Sequence, residues 1–475
     1  MGAPSEIPIS PLPLERFRPL LGAERVDSAL ALARRVADRL GGRPIWNVNS
    51  TAVGGGVAEM LRPLLSYARG AGVQTRWMVI AGGRDFFHVT KRLHNALHGE
   101  RGDGSSLGSH AREIYVETLR ENARQLLERM KPGELVILHD PQTAGLAPLL
   151  LSAGLRVIWR CHVGSDQPSP ESERGWRFLL PDLVDVPRLI FSRRAYAPRE
   201  LDARRVVVVE PSIDPFSPKN EELDAPTCLA ILRCVGLVEG APEPGRALYL
   251  RSDGSTAQVH HAADVMRLGR LPCADDAMVV QVSRWDRLKD PVGVLRGFEQ
   301  LLGTHPQLEA ELVLAGPNVH AVADDPEGAQ VFNEVLEAWR TLPHEVRRHV
   351  TLASLPTHDV DENAAIVNAL QRHARVVVQK SLREGFGLTV TEAMWKARPV
   401  VASRLGGIQD QIDDGVNGLL LEDPADEREF AAALLRLLTD HGLAARLGQN
   451  ARLRVRDHFL LVRHLVQYGE LLERQ

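Results

Sequence analysis

Short apolar runs rich in Val, Ile and Trp alternate along the chain with longer stretches in which apolar positions recur at helical spacing. RPIWNVNS (43–50) predicts a strand, GVAEMLRPLLSYARGAG (56–72) an amphipathic helix and TRWMVIAG (75–82) the next strand. ELVILHD (134–140), LRVIWRCH (155–162), RLIFS (188–192) and RVVVVEP (205–211) continue the series. Strands apolar on both faces need helices on both faces, which is the requirement of a parallel, doubly wound sheet.

A second series begins later with MVVQVSR (278–284), AELVLAG (310–316), HVTLAS (349–354), RVVVQK (375–380) and PVVAS (399–403), each followed by a helical stretch. The fold class expected is therefore α/β with two doubly wound, Rossmann-like domains, at 1–215 and 216–460. A linker rich in Pro, Gly and charge is expected near 212–220, and the irregular stretch 239–275 reads as an insertion without an assigned role. No internal repeat or low-complexity tract stands out.

Length supports the division, because 475 residues exceed what one hydrophobic core usually organises. Lys and Arg total 57 against 61 Asp and Glu, and the basic residues are scattered, so nothing marks a nucleic-acid or membrane surface. The four cysteines, Cys161, Cys228, Cys234 and Cys273, have neither CxxC spacing nor the density of a disulfide scaffold. With no signal-peptide pattern and no apolar run of about 18 residues, a soluble cytoplasmic protein is expected.

Ligands of such sheets bind beyond the carboxyl ends of the strands, and the candidate chemistry falls there. After the first strand come Gly54, Gly55 and Gly56, leading into a helix. Glycines let backbone approach a ligand and a helix N-terminus offers N–H groups to an anion; a tight strand-to-helix turn is the alternative. SRWDRLKD places Arg284 and Lys289 after the first strand of the second domain, where two cations suit a diphosphate leaving group.

The stretch SLREGFGLTVTEAMWK follows RVVVQK. With a helix starting near Leu388, Glu384 lies on the loop and Glu392 one turn into the helix on the same side. One carboxylate then suits sugar hydroxyls and the other a ribose diol, while Gly385 and Gly387 allow close backbone approach. Asp140 and Gln142 in HDPQ also follow a strand; sugar binding and a turn-forming Asp-Pro remain alternatives there. His94 and His98 have a helical metal-binding spacing without an apparent third ligand.

EGFGLTVTE resembles the E-x7-E motif of retaining, two-domain GT-B glycosyltransferases of family 4. NVNSTAVGGGVAEML, FFHVTKRLHNALHG, HDPQTAGL, WRCHVG, QVSRWDRLKD and DDPEG are similar to the trehalose synthase branch, and related retaining trehalose phosphorylases share much of the pattern. The resemblance implies that Arg284 and Lys289 bind the donor phosphates and Glu392 the ribose. Glu384 and His162 face the donor sugar, Gly55 and Gly56 close over phosphate and acceptor, and Gly385, Phe386, Gly387 and Leu388 line the nucleotide-sugar site. It further implies an acceptor-side first domain, a donor-side second domain, a hinge at the linker, and a final helix (461–475) that crosses back to the first domain. One departure stands out: where the pattern has an acidic residue two positions after His162, this chain has Gly164, with Asp166 two further on.

The reaction so implied is reversible, retaining transfer of glucose from a nucleoside-diphosphate glucose to glucose or a related sugar, giving trehalose. Phosphorolysis of trehalose is the alternative enzyme, and a sugar-nucleotide binder without turnover the alternative of another class. The partners expected are small molecules, with no metal or other cofactor and no nucleic acid or membrane; a homodimer is compatible with this reading.

Overall fold

The computed structural model describes residues 2–52, 56–318 and 326–474. The chain divides into two compact units, Met1–Ser212 with Phe459–Gln475, and Ile213–His458.

The first unit holds β1 (Ser5–Ile7), β2 (Ile45–Asn49), β3 (Thr75–Val79), β4 (Leu135–His139), β5 (Arg156–Cys161), β6 (Arg188–Phe191) and β7 (Val206–Val208). They form one sheet in the order β1-β3-β2-β4-β5-β6-β7. All neighbours run parallel except β1, which lies antiparallel on β3. Every residue of β2 and β4 is buried, as strands covered on both faces require, and the buried polar side chains Asn47, Asn49 and His139 lie among their apolar ones. One core cluster gathers Trp46, Tyr115, Leu138, Trp159 and Phe191.

In the second unit the helix Ala225–Val235 comes first, then a hairpin of β8 (Leu248–Leu250) and β9 (Thr256–Gln258), followed by β10 (Asp264–Met266). The main sheet adds β11 (Ala277–Val282), β12 (Ala310–Pro317), β13 (Val350–Leu355), β14 (Val376–Gln379), β15 (Val400–Ser403) and β16 (Leu419–Leu421), in the order β10-β13-β12-β11-β14-β15-β16. Only β10 is antiparallel to its neighbour in this sheet. Val279, Phe298, Leu312, Val378 and Phe430 share its core. In both units the strand order reverses beside the first parallel strand, at β2/β4 and at β11/β14, and such switch points are where doubly wound sheets bind ligands.

The stretch 239–275 acquires a structural role here. Its strand β10 completes the sheet edge on β13, and the preceding turn is clamped to the start of the helix Val360–His373. Arg251 pairs with Asp359 at 2.5 Å, and the Ser252 hydroxyl donates to Asp361 at 2.6 Å. Glu362 accepts the His260 and His261 backbone N–H groups. Covering β13 protects an otherwise open strand edge.

Residues 218–222 are bonded into the second unit rather than forming a free tether. Asn368 Nδ2 donates to the carbonyls of Pro218 and Glu221 at 3.1 and 2.9 Å, and Trp395 Nε1 donates to that of Asn220 at 3.1 Å. The change of unit falls between Ser212 and Ile213.

The last helix, Leu461–Glu473, belongs to the first unit and packs on the helix Ala23–Leu40. It is pinned by Arg160 of β5, a fully buried guanidinium that donates to Tyr468 Oη (2.7 Å), His464 Nε2 (2.8 Å) and the Val209 carbonyl (3.1 Å). Arginine can only donate, so His464 Nε2 accepts and its Nδ1–H goes to Ser212 Oγ at 2.8 Å.

Candidate active site

In the second unit the loops after β11 and β14 meet. The 3-10 turn Arg287–Lys289 is capped by the Asp286 side chain on Leu288 N–H, and its Leu288 carbonyl accepts the Leu382 N–H at 2.8 Å. This brings Lys289 Nζ to 2.6 Å from Glu384 Oε2, with both side chains largely buried. Gln379 Nε2 (3.3 Å) and Ser381 Oγ (3.2 Å) donate to the same oxygen. Beneath them, Lys380 pairs with Asp290, itself in the left-handed region (φ 48°) and capping the helix Pro291–Thr304.

The helix after the EGFG loop begins at Leu388, with Gly387 as its N-cap at φ 82°, a conformation that favours glycine. The loop is held from behind by residues that local reading did not single out. A Cβ at Gly406 would lie 2.0 Å from the Glu384 carbonyl, and Gly407 N–H donates to the Gly385 carbonyl at 2.8 Å. Gln411 Nε2 donates to the Phe386 carbonyl at 2.6 Å, and its own Oε1 accepts from Thr391 at 2.7 Å. Phe386 is buried, while Gly385 and Leu388 are half-buried.

Glu392 is buried one turn into this helix, its carboxylate 3.8 Å from Lys219 Nζ. Lys396, one turn on, donates to Asn220 Oδ1 and the Glu392 carbonyl, and burial lowers its pKa against the pull of Glu392. Arg284 stands apart: its side chain is 59% exposed and pairs with Asp286 at 3.0 Å. The structure thus joins Lys289 to Glu384 but not Arg284 to either.

In the first unit, Asp140 follows β4 at φ 65°. Its N–H goes to the Arg160 carbonyl, its own carbonyl accepts Trp159 Nε1, and its Oδ1 accepts the His162 backbone N–H at 2.7 Å. Such a left-handed non-glycine residue persists where its surroundings over-determine it, a pattern common at ligand sites. Burial pushes the Asp140 carboxyl up to about 7, opposed by the His162 N–H and by Arg160. His162 is buried beside it and held neutral, chiefly by burial. Gln142 is half-buried, and its buried Oε1 has no hydrogen-bond partner among the described residues.

Gly56 starts the helix Gly56–Gly70 and is exposed; Gly54 and Gly55, like Asp324 and Asp325 of DDPEG, lie outside the described residues. At Gly164 a Cβ would lie 2.2 Å from Tyr196 Cγ, so Tyr196 occupies the space a side chain would need, and Asp166 pairs with Arg193. Among the described residues no group of three or more His, Cys, Asp or Glu could hold a metal ion, and no helix is long and apolar enough to cross a membrane. All four cysteines are free.

Residues 47–198 match the family model for the trehalose synthase N-terminal domain, and residues 272–454 match glycosyl transferases group 1. Over 461 residues the chain is 34% identical to a trehalose synthase of Thermococcus litoralis, covering 97% of this chain and 96% of the relative.

The chain belongs to the trehalose synthase family.

As a member of that family it is a hexosyltransferase with the GT-B fold. A trehalose synthase of Rubrobacter xylanophilus is 36% identical over 437 residues, 91% of this chain and 90% of that one. A trehalose phosphorylase of Pleurotus pulmonarius is 26% identical over 94% of this chain but only 58% of its own length. Among solved structures, a UDP-forming α,α-trehalose-phosphate synthase from Burkholderia xenovorans superposes with TM-score 0.66 at 17% identity, covering 91% of this chain and 100% of that one. A sucrose-phosphate synthase from Thermosynechococcus elongatus gives 0.63 at 19%, covering 91% and 98%. At such identities the likeness is one of fold.

Proposed function

We propose that this trehalose synthase family member transfers glucose, with retention, from a nucleoside-diphosphate glucose to glucose or a closely related sugar, forming an α,α-1,1 linkage reversibly. The observation that carries the reading is the contact of Lys289 with Glu384 at the switch point β11/β14. An ammonium has three donor protons, and Glu384 is its one side-chain partner among the described residues, so two remain for phosphate oxygens. Glu384 aims that ammonium and offers its carboxylate to a donor-sugar hydroxyl. Lys289, with Arg284 and the N–H groups at the start of the helix Leu388–Trp395, stabilises charge developing on the leaving diphosphate. Glu392 binds the ribose.

From the family resemblance, His162 is assigned to the donor sugar, and Gly55 and Gly56 to phosphate and acceptor; Asp140 and Gln142, beyond a strand end, are assigned to sugar hydroxyls. Retention is ascribed to front-side attack, the leaving phosphate taking the acceptor proton. The nucleotide sugar and the acceptor sugar are substrates, and no metal or cofactor enters this scheme. The free cysteines and the nucleotide-sugar donor suit the cytoplasm.

The reading is tested by incubating the protein with several nucleoside-diphosphate glucoses and candidate acceptors and identifying the product by mass and by anomeric NMR couplings. A disaccharide with both anomeric carbons α supports it. A β linkage, or donor hydrolysis alone with every acceptor, defeats it.

A further inference from the structure

His139 and His162 stand at the carboxyl ends of neighbouring strands β4 and β5, with ring centroids 5.7 Å apart, planes within 17° of each other and His139 Nδ1 3.4 Å from His162 Nε2. The nitrogen separation is shorter than the centroid separation by the two ring radii. Both nitrogens therefore lie on the line between the ring centres, the geometry of an in-plane N–H···N hydrogen bond.

Such a bond needs one donor and one acceptor. Burial and the Arg160 guanidinium keep both rings neutral, His139 down to about 3. On the far side of His139, Nε2 is 3.0 Å from Asn47 Oδ1, an oxygen that can only accept. His139 thus carries its proton on Nε2, its Nδ1 is a lone pair, and the bridging proton belongs to His162 Nε2. His162 Nδ1 is left unprotonated, with no hydrogen bond among the described residues.

We propose that Asn47 and His139 are positioning residues for hexose transfer: they fix the tautomer and ring orientation of His162, so that its Nδ1 accepts a hydrogen bond from a hydroxyl of the bound sugar. The tautomer of a histidine is set by the partner of its other nitrogen, and a ring free to exchange tautomers would offer a donor half the time. The role rests on the assignment of His162 to the sugar site made above.

Long-range 1H–15N spectra of the full chain labelled at histidine read the tautomer directly. The expected result is a neutral His162 protonated on Nε2. In His139→Leu, the His162 signals should shift towards a tautomer average and kcat should fall about tenfold or more, with donor KM nearly unchanged. His139→Asn places an acceptor oxygen near the lost Nδ1 and should recover most of that rate. A wild-type His162 protonated on Nδ1, or a His139→Leu enzyme with unaltered kcat, overturns the proposal. The wild-type spectrum decides the tautomer even if a variant fails to fold. If the wild-type protein transfers no hexose, the functional reading and the positioning role both fail, while the spectrum still reports the geometry.

Discussion

Lys289 Nζ lies 2.6 Å from Glu384 Oε2, joining two loops 95 residues apart in the chain at the carboxyl ends of adjacent strands. If this ammonium neutralises the leaving diphosphate, Lys289→Ala should lower kcat by about a hundredfold or more, as loss of a transition-state donor does. Glu384→Gln should lower it less severely, since the ammonium stays but loses its charged anchor. Steady-state kinetics with the donor varied decides this. A Lys289→Ala enzyme as fast as wild type would remove the lysine from the chemistry.

Glu392, on the helix that follows the EGFG loop, is buried and 3.8 Å from Lys219. Glu392→Gln should raise the donor KM about tenfold with little change in kcat, because a neutral amide holds a ribose diol less well in both ground and transition states. Calorimetric titration with nucleoside diphosphate should show a matching loss of affinity. An unchanged donor KM would leave the ribose without its proposed partner.

Asp140 carries a pH signature. Its carboxyl titrates near 7 in the folded chain against 3.8 ordinarily, so between those values the native state binds more protons than the unfolded state. Its contribution to stability is complete below the ordinary value and is lost as pH rises through about 7. Asp140→Asn should flatten both that slope in urea-unfolding free energy and the limb of kcat/KM near neutrality. A variant whose two profiles match wild type would show that Asp140 does not titrate there.

The buried Arg160 predicts how the last helix is held. His464→Leu leaves a desolvated guanidinium without one of its acceptors and should cost about 3 kcal/mol of unfolding free energy. Hydrogen exchange should quicken across 461–473. If both stay unchanged, the helix is held by its apolar face alone.

How far these features could be read in advance follows from the range of each interaction. The parallel sheets were legible because runs such as LVIL (135–138) are apolar at inward and outward positions alike, and the helix start at Leu388 was legible because Gly387 precedes it locally. The antiparallel edge strands β1 and β10 have three residues each and carry no periodicity to read. Glu384, Lys289, His162 and Asp140 announce themselves as polar residues at strand ends. Their supports do not: Gln411, Gly406, Asn47 and His139 act across distant stretches, and only the folded register brings them to the loops they hold. The linker expected near 212–220 from its composition is partly bonded in place: the carbonyls of Pro218 and Asn220 are taken by Asn368, Arg372 and Trp395.

The central claim is that a nucleotide, not free phosphate, carries the glucose, and running the reaction backwards tests it most directly. One preparation is given trehalose with a nucleoside diphosphate, and in parallel trehalose with inorganic phosphate. The account predicts formation of nucleoside-diphosphate glucose in the first mixture and little glucose 1-phosphate in the second, because Glu392 spends nucleoside binding energy on placing the reacting sugar. Phosphate-dependent release of glucose 1-phosphate with no nucleotide sugar formed would contradict it.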